Sequence, residues 1–71
     1  MKNKILEIVM WHEKPNWNER LVRYTMSLSV ANIASHLEAT NAELKKSDNP
    51  PNMLYIMRGC FIDILKQRLN F

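Results

Sequence analysis

The stretch SVANIASHLEATNAELKK, residues 29–46, decides how the middle of this 71-residue chain folds. It contains two candidate helix starts, because Ser29 and Thr40 are both good N-cap residues and Glu43 completes a capping-box pattern with Thr40. Two caps eleven residues apart favour two short helices joined by a tight turn. The alternative is one continuous helix, since Glu38 rather than glycine occupies the turn position and good helix formers surround it.

Prolines divide the rest of the chain into segments. Pro15 ends a short N-terminal segment, and the pair Pro50–Pro51 separates the middle segment from the last one. The segments have apolar residues at helical spacing and almost no period-two alternation. We therefore predict an all-α chain with a single small helical domain, residues 1–71. It should contain three to five helices and a helix-turn-helix-like middle segment. The segments run from about residue 2 to 12, from 17 to 47 and from 53 to 70.

Length and composition limit the class of protein. A chain this short builds one domain with a marginally stable core, so a partner is expected. The single cysteine, Cys60, forms no intrachain disulfide and fits a reducing, cytoplasmic location. The apolar run Ile5–Trp11 is interrupted by Glu7 and lacks a cleavage site, and no apolar run approaches the roughly 20 residues that span a bilayer. We predict neither secretion nor a membrane segment.

Residue patterns for catalysis are undetectable. The chain has no nucleophile–base arrangement, carboxylate pair or phosphate-binding loop, so we predict that it is not an enzyme and uses no cofactor. His12 and His36 lack ligand-spaced partners, and we predict no metal site. The formal net charge of +3 is compatible with a polyanionic partner without requiring one.

The segment LSVANIASHLEATNAELKK, residues 28–46, resembles the first helix-turn-helix unit of AraC-type transcription activators, especially the enteric virulence regulators. The family pattern is a Leu-Ser start, an Ile-Ala pair, a Leu three residues on, a Ser or Thr three further, and a Leu followed by basic residues. Family domains carry two such units, whereas this chain has room for one. The matching residues are Leu28, Ser29, Ile33, Ala34, Leu37, Thr40, Leu44, Lys45 and Lys46.

The resemblance implies a recognition helix over residues 40–47 that enters the major groove of DNA. In that position Asn41 and Ala42 reach base edges, where asparagine pairs with adenine and alanine contacts a thymine methyl group. Lysines at the end of the helix reach phosphates, although cations at a helix C-terminus also simply favour the macrodipole. The predicted DNA-binding residues are Thr40, Asn41, Ala42, Lys45 and Lys46, with Arg20 and Arg23 from the preceding helix.

The last segment carries a broad apolar stripe. One flanking helix covers a stripe of only about 100°, so we expect one row of these residues to stay exposed and to form an association surface. A two-fold homodimer uses one such patch twice. The predicted residues of this dimer or partner interface are Leu54, Met57, Phe61, Ile64 and Leu65.

Two functions from different classes follow from the sequence. The first is a small transcription regulator that binds double-stranded DNA through one helix-turn-helix, as a dimer. The second is a helical protein–protein interaction module that inhibits or antagonises a partner protein without binding DNA. The course of the backbone between Leu37 and Thr40 discriminates between them, because a straight helix there removes the recognition helix.

Overall fold

The computed structural model describes residues 4–69 and contains four α-helices and one short 3-10 helix, with no strand in that range. This confirms the predicted all-α class and the helix breaks at Pro15 and Pro50–Pro51. None of the helices in residues 4–69 combines the length and the apolar character that crossing a bilayer requires. The elements are α1 (Lys4–Val9), a 3-10 helix (Met10–Glu13), α2 (Trp17–Met26), α3 (Val30–Lys45) and α4 (Asn52–Leu69).

The longest helix, α4, lies between α3 and α2, with α3 making the more extensive contact. Trp17 from the start of α2 and Ile56 from the first half of α4 line one hollow, whereas Met26 and Gln67 line another. These pairs show that α2 runs parallel to α4. The guanidinium group of Arg68 donates hydrogen bonds to backbone carbonyls in the α2–α3 connection. This contact holds the end of α4 against the point where α3 begins.

The core forms where all four helices meet. Ile8 of α1, Ile33 of α3, and Met57 and Phe61 of α4 have no exposed surface. The apolar residues Ile5, Ile8 and Val9 of α1 are buried in the same cluster. The buried apolar residues are Ile5, Ile8, Val9, Trp11, Leu21, Ile33, Met53, Leu54, Met57, Phe61 and Ile64.

The middle segment contains one long helix where two short ones were predicted. Helix α3 runs without interruption through residues 37–40, so the predicted turn at that place is wrong. Thr40 is not an N-cap. Its side chain is fully buried, and its hydroxyl group donates a 2.7 Å hydrogen bond to the backbone carbonyl of His36, one turn earlier. This bond satisfies the hydroxyl inside a helix, so the residue that resembles a cap fits the helix interior.

The chain turns instead between α2 and α3. Ser29 is the N-cap of α3, as predicted, and its Oγ accepts a 3.2 Å hydrogen bond from the backbone N–H of Asn32. The connection between Met26 and Val30 is only three residues long. The helix start at Ser29 is therefore the one that the chain uses.

The predicted interface residues of α4 belong to the core of the single chain. Leu54, Met57 and Phe61 are at most 2% exposed, Ile64 is 6% exposed, and Leu65 is partly buried against the same core. The prediction that one row of the stripe stays exposed is wrong, because α3 and α2 flank α4 on two sides. Any surface of α4 that binds a partner must lie on its opposite face.

Gly59, the one glycine of the chain, lies in the interior of α4 without a conformational need for glycine. A methyl group at this position meets no atom within 4 Å. Glycine in a helix interior is about 1 kcal/mol less favourable than alanine. Gly59→Ala should therefore raise the free energy of unfolding by about 1 kcal/mol in urea titrations at low chain concentration. A loss of stability would contradict the open surroundings of this residue.

Candidate functional site

The residues predicted to read DNA lie in the second half of α3 and differ in exposure. Thr40 is buried and Asn41 is partly buried, which leaves Ala42 as the exposed residue of this turn. Lys45 and Lys46 are exposed at the end of the helix, and the Lys46 ammonium group lies 3.2 Å from a carboxylate oxygen of Glu43. Cations at this place interact favourably with the C-terminal end of the helix dipole.

The two arginines predicted to contact the DNA backbone lie together on α2. Arg20 and Arg23 are exposed and line one shallow hollow with Tyr24 and Ser27. The guanidinium group of Arg20 lies over the ring of Trp11, 4.2 Å from its centroid, which is a cation–π contact within the fold. The structure thus brings the arginines together, and they lie on a different helix from the lysines.

A hydrogen-bonded pair behind this hollow links α2 to α3. The hydroxyl group of Tyr24 and Nε2 of His36 are 2.7 Å apart, and Nδ1 of His36 is 2.8 Å from the backbone carbonyl of Asn32. Because a carbonyl only accepts, Nδ1 carries the proton and Nε2 of the neutral ring accepts from the tyrosine. Burial, and secondarily the Glu7 carboxylate, raises the pKa of Tyr24. The pair holds two helices together, a role that the sequence did not reveal.

An apolar surface runs along the outer sides of α2 and α4. Val22 and Met26 of α2 are 44% and 55% exposed, and Tyr55 and Ile56 of α4 are 48% and 45% exposed. The partly buried thiol of Cys60 lines a hollow together with Val22 and Met26. These five residues are called the α2–α4 surface below.

Helical spacing explains why these side chains lie side by side. Val22 and Met26 are one turn apart on α2, and Ile56 and Cys60 are one turn apart on α4. Since α2 and α4 run parallel, Val22 and Met26 line one groove with Cys60, and Ile56 lines the neighbouring hollow with Trp17. Polar residues border this groove, as in protein interfaces with an apolar centre and a polar rim. They are Asn18, Glu19 and Arg23 on α2, and Asp63 and Gln67 on α4.

The sequence contains a signal for this surface that the prediction missed. On α2 the buried residues are Leu21 and Thr25, one turn apart. Val22 directly follows Leu21, and Met26 directly follows Thr25. Val22 and Met26 therefore lie on the side of the helix next to its buried face. Apolar residues next to the inward row, rather than within it, indicate a helix whose apolar surface exceeds what its own core covers.

The pKa of the Cys60 thiol depends on its surroundings in the groove. Burial raises the pKa of its thiol; the hydrogen bond with Thr25 opposes this rise, and the nearby negative charge of Asp63 adds to it. Because the thiolate is the reactive form, a raised pKa lowers the thiolate fraction near the ordinary thiol pKa.

We therefore expect iodoacetamide to alkylate the folded chain with a pH midpoint above that of the chain unfolded in urea. Asp63→Asn should lower the midpoint of the folded chain, whereas Glu38→Gln, on the exposed side of α3, should leave it unchanged. The measurement is the alkylation rate at a series of pH values, followed by mass spectrometry. Equal midpoints for the folded and the unfolded chain would mean that the thiol is as solvated as in a free peptide.

Comparison of the chain with protein-family models, curated proteins and solved structures gives no match. The resemblance to AraC-type activators thus stays a prediction, and the assignment of a site depends on the geometry of this chain alone.

Proposed function

We propose that this chain is a helical protein–protein interaction module that binds another polypeptide on the α2–α4 surface, in the cytoplasm. The observation that carries the proposal is the exposure of four large apolar side chains, each about half accessible, along two parallel helices. Contiguous apolar surface with a polar border is a common mark of association sites. Such a chain acts by occupying its partner's surface, as an inhibitor or antagonist does.

The continuity of α3 supports this function over DNA recognition. A recognition helix needs a free first turn that points base-reading side chains into the major groove. At the predicted place the helix has no first turn, because residues 30–45 form one helix and Thr40 is buried within it. The resemblance in sequence therefore does not extend to the feature on which DNA reading depends.

The charges around the α2–α4 surface also favour a protein partner. Glu19 and Asp63 border the groove together with Arg23. Duplex DNA presents a dense row of negative phosphates and binds surfaces of predominantly positive charge. A border with charges of both signs is suited to complementary charges on a protein.

Site-specific photocrosslinking in the native host tests the proposal. A photoreactive benzoyl-phenylalanine in place of Met26 should give a covalent adduct with a polypeptide, because the side chain projects from the apolar groove. The same residue in place of Ser35, which is exposed on α3, should give none. Val22→Lys should abolish the Met26 adduct, since it places a charge in the apolar contact.

The mass of the adduct identifies the bound polypeptide, and circular dichroism confirms that each variant folds. If Met26 and Ser35 give the same crosslinking pattern in folded chains, the α2–α4 surface is not a docking site. Crosslinking from Ser35 alone would transfer the interaction to α3.

DNA binding is a second candidate function, favoured by two observations. Arg20 and Arg23 are exposed in one hollow, and the connection that follows α2 is as short as in helix-turn-helix units. Phosphate contacts make the affinity fall with salt, by about 0.9 logarithmic units per contact and per decade of salt concentration.

We expect the wild-type chain to show no salt-dependent affinity for duplex DNA. Fluorescence anisotropy at several salt concentrations measures this affinity, with the Lys45→Ala/Lys46→Ala variant alongside. A salt-dependent affinity whose slope falls by up to about two units in the variant would instead establish the regulator function.

A further inference from the structure

Gly59 is the centre of the outward face of α4. It is exposed, and a Cβ added to it would have no neighbouring side chain or other element within 4 Å among residues 4–69. Large apolar side chains, Tyr55 and Ile56, lie on the turn before it. A glycine next to large exposed side chains leaves a depression in a helix surface, into which the backbone of another helix can approach.

The outward face is chemically complementary to itself about Gly59. Residues three, four and seven positions away from a helical residue lie on the same face as that residue. At each of these separations, the residue before Gly59 and the residue after it have side chains that can contact each other favourably. The matched pairs are Ile56 with Ile62, Tyr55 with Asp63, and Asn52 with Lys66.

The two polar pairs consist of a donor and an acceptor. The hydroxyl group of Tyr55 can donate to the carboxylate of Asp63, and the ammonium group of Lys66 can donate to the amide oxygen of Asn52. Within residues 4–69, neither the Tyr55 hydroxyl group nor the Asp63 carboxylate forms a hydrogen bond or an ion pair, although the Arg58 guanidinium group lies 5.5 Å from the Tyr55 ring centroid. Both groups are thus available to a second chain.

We propose that two copies of this chain form a dimer in which their α4 helices pack antiparallel about a two-fold axis at Gly59. The proposal depends on the proposed function and identifies a second copy as one polypeptide that binds the α2–α4 surface. A two-fold axis at Gly59 brings each residue before it to its matched residue in the partner. Tyr55 then faces the partner's Asp63, and Ile56 lies at the level of the partner's Ile62.

The charges select the antiparallel arrangement over the parallel one. A parallel pair would place Asp63 next to the partner's Asp63 and Lys66 next to the partner's Lys66, and like charges in contact repel. The antiparallel pair separates these charges by twice their distance from Gly59. Val22 and Met26, on the adjoining helix, extend the apolar contact at its edge.

Sedimentation equilibrium at tens of micromolar tests the dimer with a matched pair of variants. Gly59→Glu fills the depression and places two like charges at the axis, so it should weaken association by at least about tenfold. The monomer should still fold, because a Cβ at this exposed position has no neighbouring side chain or other element within 4 Å among the described residues. Ser35→Glu adds the same charge on the exposed side of α3 and should leave the dimer intact. Circular dichroism of both variants confirms the fold.

Disulfide trapping tests the register in a Cys60→Ser background. Gly59→Cys should crosslink to itself under mild oxidation, since the axis brings the two copies of this residue together. Tyr55→Cys alone and Asp63→Cys alone should crosslink poorly, whereas an equal mixture of the two should crosslink well. Efficient crosslinking of Tyr55→Cys alone would overturn the antiparallel arrangement.

The outcomes separate this inference from the proposed function. If wild-type chains are monomeric and Gly59→Cys does not crosslink, the dimer is excluded. The proposed function then survives if photocrosslinking from Met26 still yields a heavier adduct with a different polypeptide. A dimer that Gly59→Glu leaves intact would also overturn the inference, because its interface would lie elsewhere.

Discussion

The burial of α4 on two sides at once is the constraint on which the structure depends. Met57 and Phe61 have no exposed surface, and Leu54 and Ile64, which flank them around the circumference of the helix, are also buried. An 18-residue helix with so wide an apolar stripe needs a flanking helix on each side. Helices α3 and α2 fill these two places, and the short connection capped by Ser29 lets the chain pass from one to the other. The hydrogen bonds from Arg68 to that connection close the arrangement.

The sequence predicts the helices of this fold better than their boundaries in the middle. Prolines stop helices for local reasons, so the breaks at Pro15 and Pro50–Pro51 follow from the sequence directly. Ser29 and Thr40 look alike locally, since each is a good cap followed by helix formers. Packing distinguishes them, because Thr40 is buried while Ser29 is exposed. A tertiary contact therefore decides which cap signal takes effect, and no window of sequence contains that contact.

The binding surface was harder to predict for a related reason. The sequence reveals the width of the α4 stripe, but not how many helices flank it. With one flanking helix, Met53 and Leu54, which lie on neighbouring rows of α4, could not both be covered, whereas with two they belong to the core. The same packing leaves Val22 and Met26 outside. An apolar stripe in the sequence thus indicates that its residues pack against another element. Only the arrangement of the helices shows whether that element belongs to the same chain or to another.

The outer faces of α3 and α4 differ in a way that favours α4 for the proposed association. The exposed residues of α3 include Ala31, Glu38 and Ala42, which are good helix formers and suit a helix facing water. The outer face of α4 has a glycine, which costs about 1 kcal/mol in a helix interior, one turn after the half-exposed side chains of Tyr55 and Ile56. An isolated helix gains nothing from that combination. A helix that packs closely against another gains a depression for its partner and an apolar border around it. The good helix formers on the outer face of α3 suit contact with water, and the glycine on the outer face of α4 suits contact with another helix. Both observations favour α4 for the proposed association, as the exposed groove beside α2 does.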